Sequence, residues 1–256
     1  AEVVLDLKVS ANKVDADVGD IAAPADVVAA EEPPMFPVYD IKPVQVAKGI
    51  WLLPGSHNSV VFEFADHLTL FEVPLNESRG QAVIAAAKAL VPSKPLTTVI
   101  VSHHHFDHTG GLRAAIAEGL TIVADRNMES FIDAMSERKH TIVQDALSKA
   151  PQLAKIDSVE DQKMLKDDAM EVRLYHVNDL EHSGTMLMAF VPSEGLLINA
   201  DLYGPGFAIF PAWETMLKNI ADRGIKVDKH LPTHGVLQTA KEAADVVAAK
   251  RAANPG

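Results

Sequence analysis

Four histidines and one aspartate stand within six consecutive positions, from His103 to His108. An apolar, β-branched stretch precedes this run and a pair of glycines follows it. Alternate residues of an extended chain project to the same side, so His103 and His105 can converge on one metal ion. If the chain then turns into a helix, Asp107 and His108 can reach a second ion. Imidazole and carboxylate donors suit Zn²⁺, so the run predicts a zinc centre.

The ordinary explanation for such a run is a polar loop enriched in histidine by accident. Clustering this many imidazoles without a ligand is costly, because polar groups that lose water need partners. We therefore favour the metal centre. His104 and Phe106 fall on the opposite side of the extended run, and we expect packing or supporting roles for them.

Regular elements must position this run. Short β-branched segments predict strands at Gly49–Leu53, Ser59–Phe64, Thr69–Val73, Thr98–Val101, Thr121–Ala124, Glu171–Val177, Thr185–Phe190 and Leu196–Asn199. Helical periodicity predicts helices at Glu77–Leu90, Gly111–Glu118, Asn127–Arg138, Trp213–Arg223 and Ala240–Ala252. Two strand-rich halves with interspersed helices indicate an α+β fold, an αββα sandwich of two mixed β-sheets covered by helices.

Residues 1–45 differ in composition and sequence pattern from the rest of the chain. Val3 to Val9 alternates weakly like a strand, and the stretch from Asp15 to Phe36 is acidic, rich in proline, and free of Lys and Arg. Such composition is typical of an extended linker. We therefore predict an N-terminal arm or linker over 1–45, which either lies along the main domain or joined it to a lost N-terminal domain, and one main domain over 46–256.

Composition narrows the function classes. Lys and Arg (23) against Asp and Glu (35) leave a net charge of −12, which argues against a nucleic-acid partner. No stretch has the roughly 18 uninterrupted apolar residues of a membrane span, so no membrane partner is expected. The chain has no cysteine, which excludes disulfides, a thiol nucleophile and cysteine-rich zinc sites.

The motif His-x-His-x-Asp-His after an apolar strand resembles the signature of the metallo-β-lactamase fold superfamily. The resemblance runs from about Val46 to the C-terminus. Within the family, the sequence is most similar to bacterial exported metallo-hydrolases of unassigned substrate. The resemblance implies three further ligands, which the sequence supplies in order as His182, Asp201 and His234. The four residues that precede His182, Asn178 to Glu181, differ from the Gly/Pro-rich segment that the family often has there. They place an extra carboxylate beside the site.

The resemblance also implies how the ligands divide. His103, His105 and His182 would hold the first Zn²⁺ (iron or manganese being the alternatives). The second ion would be held by Asp107, His108 and His234, with Asp201 bridging. Two such ions share a water that ionises near neutral pH and attacks the substrate. Asp107 is also expected to act catalytically, by orienting that nucleophile or moving a proton.

Two further residues are candidates for contact with the substrate or support of the site. His57 lies in a loop expected to overhang the centre, and Tyr203 follows Asp201 by two positions and can donate a hydrogen bond to an oxyanion. His67, His140, His176 and His230 are expected to have ordinary surface or structural roles.

The substrate class stays open at this point. Zinc β-lactamases of the family usually have Cys or Ser where Asp201 stands, so a carbonyl ester or lactone is favoured over a β-lactam. A phosphodiesterase, a thioesterase of the glyoxalase II kind and an iron-dependent oxidoreductase of the same fold are alternatives, as is a binding protein with a decayed site. Because the chain starts at Ala1 rather than Met, we expect a processed or truncated N-terminus. Together with the resemblance to exported members of the family, this predicts a periplasmic or secreted location, with the cytoplasm as alternative.

Overall fold

The computed structural model describes residues 6–10, 13–17, 39–142, 144–206 and 210–253. The chain divides into two compact units, residues 1–37 and 38–256. In the first, β1 (Asp6–Ser10) and β2 (Lys13–Asp17) form an antiparallel hairpin. The rest of the predicted arm up to residue 38 lies outside the described residues. The predicted boundary after residue 45 stays a prediction, although β3 (Val44–Ala47) runs across that position.

Two mixed β-sheets form the second unit. The first sheet has seven strands in the order β3 to β9, and its members after β3 are β4 (Ile50–Leu53), β5 (Ser59–Glu63), β6 (Leu68–Phe71), β7 (Leu96–Ile100), β8 (Thr121–Asp125) and β9 (Lys155–Val159). Strands β3 to β6 are antiparallel, and β6 to β9 are parallel.

The second sheet has six strands in sequence order: β10 (Gln162–Lys166), β11 (Glu171–His176), β12 (Leu187–Val191), β13 (Leu196–Asn199), β14 (Lys229–Pro232) and β15 (Gln238–Thr239). Only the pair β13 and β14 is parallel within these described strands. Parallel neighbours bring the carboxyl ends of β13 and β14 to the same edge of the sheet.

Seven helices accompany the sheets: α1 (Glu77–Leu90), α2 (Phe106–Thr109), α3 (Leu112–Ala117), α4 (Glu129–Glu137), α5 (Ala146–Lys149), α6 (Phe210–Asp222) and α7 (Ala240–Ala253), as far as the described residues show. The side chain of Asn76 caps α1 by accepting a hydrogen bond from the amide of Arg79. None of these helices is long and apolar enough to cross a membrane.

Three apolar layers show how helices and sheets stack. Along β5, Val60 and Phe62 pack in a cluster between the sheets, whereas Val61 packs beneath α1 and α3. This alternation follows from the two-residue period of a strand. A third cluster, which includes Trp213 and Val247, packs α6 and α7 on the other face of the second sheet. The predicted αββα sandwich and α+β class are therefore confirmed.

Close backbone contact fixes the turn between α2 and α3. A Cβ atom on Gly111 would lie 2.7 Å from Cα of Gly80 in α1 and 2.8 Å from the carbonyl of Val73. The amide of Gly111 donates to the same carbonyl at 3.0 Å. Glycine is thus required here to seat the segment of His103 to His108 against α1.

Candidate metal centre

The predicted donors follow the carboxyl ends of strands that meet at one edge of the sandwich. His103 and His105 lie in the extended segment after β7, and Asp107 and His108 lie in α2. His182 lies between β11 and β12, Asp201 follows β13, and His234 follows β14. The segment after β7 is held on both sides, since the amide of Val101 donates to Val123 and the carbonyl of Ser102 accepts from Leu187.

A first cluster unites His103, His105, His182 and Asp201, whose potential ligand atoms all lie within 4.8 Å of one another. Oδ2 of Asp201 is 2.8 Å from Nε2 of His182 and 3.5 Å from Nε2 of His103. His103 is fully buried, whereas the side chain of His182 is 34% exposed. The cluster is therefore open to solvent on the His182 side.

A second cluster unites His57, Asp107, His108 and His234 within the same limit of 4.8 Å. Nε2 of His108 is 3.3 Å from Nε2 of His234 and 3.6 Å from Oδ2 of Asp107. Nε2 of His57 lies 3.1 Å from Oδ2 of Asp107. Three of the four members are the predicted ligands of the second ion.

Asp201 lies between the clusters. Its Oδ2 faces the first cluster, and its Oδ1 lies 3.1 Å from Nε2 of His108 and 2.9 Å from Nε2 of His234 in the second. One carboxylate thus offers an oxygen to each group, which is the placement that a bridging ligand needs. All seven predicted ligands are brought together, and their role as ligands stays a prediction.

The donor set fits a cation better than it fits a hydrogen-bonded network. Among the described residues, Nε2 of His103 and Oδ1 of Asp201 are buried and make no hydrogen bond of good geometry, although other donor atoms lie 2.9–3.5 Å from them. Buried polar atoms without partners are rare in native proteins and call for an unseen group. Neutral imidazole nitrogens and carboxylate oxygens are the donors that zinc takes. Metal ions therefore fit the residues present.

Electrostatics keep most of the donors ready to coordinate. Burial lowers the pKa values of His103, His105 and His57, so these imidazoles are neutral at neutral pH. Burial alone would raise the pKa of Asp201, but the surrounding imidazoles of His103, His108 and His234 hold that pKa far below its usual range. That side chain is therefore a carboxylate at neutral pH.

Glu72 is a supporting residue that the sequence analysis missed. It is fully buried at the end of β6, in the left-handed region with φ of 72°. Its Oε2 lies 2.5 Å from Nδ1 of His108, and its Oε1 accepts from the amide of Ser102 at 2.8 Å. Burial opposes the charged imidazole, yet Glu72 and Asp201 outweigh it and raise the pKa of His108 to about 10. A carboxylate on Nδ1 aims Nε2 at the metal position.

The signal for Glu72 was a single acidic residue closing the apolar strand from Leu68 to Phe71. An acidic residue at that point also fits an ordinary strand end. Only the fold reveals its partner, which lies 36 positions along the chain.

The other candidates lie in different surroundings. Tyr203 is 2% exposed, its hydroxyl donates to Gln238 at 2.7 Å, and its ring packs beside Trp213. The hydroxyl of Tyr203 is therefore already used in a hydrogen bond within the second sheet. The predicted contact of Tyr203 with substrate stays a prediction that the structure does not support. His104 is exposed and hydrogen-bonds Thr185. Phe106 does not pack, since it is 81% exposed.

Comparisons with known proteins agree with this architecture. A sequence model described as the metallo-beta-lactamase superfamily matches residues 52–213. A metallo-beta-lactamase from Pontibacter korlensis superposes with a TM-score of 0.63 at 11% identity, covering 82% of this chain and 98% of that chain. A metallo-beta-lactamase from Hirschia baltica superposes with a TM-score of 0.59 at 16% identity, covering 82% of this chain and 97% of that chain. The DIM-1 metallo-beta-lactamase superposes with a TM-score of 0.64 at 13% identity, covering 85% of this chain and 100% of that chain. These structural likenesses show the fold alone. No curated protein sequence matches the chain significantly.

Proposed function

Because this chain belongs to the metallo-beta-lactamase superfamily, we propose that it is a hydrolase with two zinc ions that opens a carbonyl ester or lactone. The observation that carries the proposal is the pair of donor clusters joined by Asp201. Seven donors from four segments of the chain, two of them with buried atoms that make no hydrogen bond of good geometry, are hard to explain by any structural role.

The residues divide into two sets of ligands. His103, His105 and His182 would hold the first ion, and Asp107, His108 and His234 the second, with Asp201 between them. When bound, two zinc ions supply Lewis acidity to the substrate oxygen and a nucleophilic water at neutral pH. Glu72 holds His108 through Nδ1 and holds the segment after β7 by accepting from the amide of Ser102.

Asp107 is the residue to which we assign proton handling. Burial raises its pKa, but the hydrogen bond with His57 and the charge of His108 prevail, and the pKa is lowered from its usual value. The side chain is 25% exposed, so one part of the carboxylate remains accessible from outside the cluster. An ionised, partly accessible carboxylate can orient water and accept its proton.

The surroundings of the donors favour an apolar, uncharged substrate. Phe106 stands between the donors His105 and Asp107 and is 81% exposed, and Phe131 of α4 is 37% exposed. The ring of Phe131 lies 6.4 Å from that of His104, which in turn lies 4.8 Å from the ring of the donor His105. Exposed aromatic rings next to polar donors are typical of ligand sites. An ester or lactone with an apolar or aromatic substituent fits these rings better than a phosphodiester does.

Metal analysis and a matched substrate panel test the proposal. Purified protein should contain two equivalents of zinc, and kcat/KM should be higher for a lactone or an aryl ester than for a penicillin, a carbapenem or a phosphodiester. Asp201→Ala should lose both metal and turnover, whereas Asp66→Ala, an exposed acid outside the clusters, should keep both.

Three results would contradict the proposal in different ways. Iron instead of zinc would favour the oxidoreductase alternative. A single ion that Asp201→Ala retains would exclude the bridged pair. A preference for the β-lactam by tenfold or more, about 1.4 kcal/mol in transition-state stabilisation, would exclude ester or lactone preference.

A further inference from the structure

The loop between β4 and β5 contributes a donor that the expected ligand set lacks. His57 lies in this loop, and its Nε2 belongs to the second cluster. Its ring meets that of His234 edge to face, with 4.2 Å between centroids, and that of His108 at 5.6 Å. His57 therefore faces all three expected ligands of the second ion.

The spacing of the four ligand atoms is that of a metal polyhedron. Zinc–nitrogen bonds of about 2.0–2.1 Å place the corners of a tetrahedron about 3.3–3.4 Å apart. The observed separations are 3.1 Å from His57 to Asp107, 3.3 Å from His234 to His108 and 3.6 Å from His108 to Asp107. Hydrogen bonds or ion pairs account for each of these distances taken singly, whereas a shared ion accounts for the convergence of all four ligand atoms within 4.8 Å.

The backbone beneath His57 is fixed from two directions. Arg79, which is 2% exposed, donates from its guanidinium to the carbonyls of His57 at 3.2 Å and Pro54 at 3.0 Å. The next residue, Asn58, donates from its side chain to the carbonyl of Gly235 at 2.7 Å and from its amide to that of Thr233 at 2.8 Å. Asn58 thus ties the loop of His57 to the loop that carries His234.

This anchoring matters for the role of His57. A metal ligand must be held near its final position before the metal arrives, and the anchored backbone of His57 meets that need. The side chain of His57 is 15% exposed, so it faces the cluster more than the solvent.

We propose that His57 is a protein ligand of the second metal ion. The inference rests on the proposed metal-dependent function and refines its ligand set. The second ion then has four donors (His57, Asp107, His108 and His234) before Asp201 is counted, whereas the first has three histidines. With Asp201 counted at both ions, the first ion has four protein donors and the second has five, so the first ion is the less crowded of the two. We therefore place substrate entry at the first ion, on the exposed side of His182.

His57→Gln separates a ligand from a positioning residue, because the glutamine amide can still donate a hydrogen bond to Asp107 but is a poor zinc ligand. Titration of metal-free protein with Zn²⁺ against a chromophoric chelator gives the two dissociation constants. Loss of a supporting partner typically weakens metal binding by roughly 10–100-fold. Loss of a ligand should exceed that range, so we expect the second constant to rise more than about 100-fold while the first is unchanged.

Titration with Co²⁺ provides a second readout that does not depend on turnover. In His57→Gln, the visible spectrum of the second equivalent should change and that of the first should not. His67→Gln, a histidine stacked on Phe64 outside the clusters, is the matched control and should behave as the unmodified chain.

The outcomes separate the inference from the proposed function. If the unmodified chain binds two ions and His57→Gln binds the second within about 100-fold and with the same Co²⁺ spectrum, His57 is not a ligand and the hydrolase proposal stands. If the unmodified chain itself fails to bind two ions, the proposed function fails, whatever the variant does.

Discussion

Replacing Glu72 with glutamine tests whether this buried carboxylate decides which nitrogen of His108 faces the metal position. Its two oxygens receive one donor each, from the amide of Ser102 at 2.8 Å and from Nδ1 of His108 at 2.5 Å. A metal ion that binds His108 must displace one of its two ring protons, and the carboxylate of Glu72 keeps the remaining proton on Nδ1, so that Nε2 coordinates. Glutamine keeps the shape of the side chain but offers one oxygen for these two donors.

The geometry sets the size of the effect. If the glutamine oxygen stays with Ser102, its NH₂ group faces His108, and the imidazole proton moves to Nε2, where the metal would bind. Losing the carboxylate partner of a ligating histidine typically weakens metal binding by roughly 10–100-fold, about 1.4–2.7 kcal/mol. We expect the dissociation constant of the second ion to rise by this amount, and that of the first to be unchanged.

Competition with a chelator measures both constants, and Glu63→Gln is the matched control. Glu63 ends the neighbouring strand β5 and pairs with Lys94 at 2.7 Å, away from both clusters. Thermal unfolding of the metal-free proteins checks that both variants fold. Equal affinity of Glu72→Gln and Glu63→Gln for the second ion would refute the role assigned to Glu72.

Three further perturbations address packing, pH and substrate. Gly111→Ala should lower the free energy of unfolding by about 1–3 kcal/mol in urea, because the added Cβ meets backbone, whereas Gly206→Ala should not, because no atom lies within 4 Å. Burial raises the pKa of Asp145, but Arg113 outweighs burial and holds that pKa well below its usual range. The ion pair therefore contributes its full stabilisation above about pH 4, and this contribution decreases as the pH falls below that value. Asp145→Asn should therefore cost about 3–5 kcal/mol in urea at pH 7, and the difference from the unmodified chain should shrink at pH 3; an unchanged difference would contradict this assignment. Phe106→Ala should lower kcat/KM for aryl esters by about tenfold with metal content intact, and an equal loss for small aliphatic esters would exclude an aromatic contact.

The regular elements were largely predictable where sequence period and burial agree. The helix Glu77–Leu90 and the strand Leu196–Asn199 have the predicted bounds. Strands Lys155–Val159 and Gln162–Lys166 were missed, because lysines and other polar residues alternate with few apolar ones. The second of them is the edge of its sheet, where charged residues are tolerated and discourage further pairing.

The candidate site divides in the same way between local and distant information. The donors between His103 and His108 are predictable from the sequence alone, because they lie within six consecutive positions. His182, Asp201 and His234 became candidates only through family order, since nothing local distinguishes them from ordinary polar residues. The place of His57 among the donors depends on contacts of Arg79 and Asn58 with distant carbonyls, which no local pattern encodes.

The donors come from both sheets, and this has a consequence beyond chemistry. His57 and Asp107 belong to loops of the first sheet, and Asp201 and His234 to loops of the second. Bound ions would therefore cross-link the loops of the two sheets at one edge of the sandwich. Metal at 100 times its dissociation constant adds about 2.7 kcal/mol to the free energy of unfolding. If the chain binds metal as proposed, removal of the metal would lower its free energy of unfolding and so raise its susceptibility to proteolysis as well as abolish turnover.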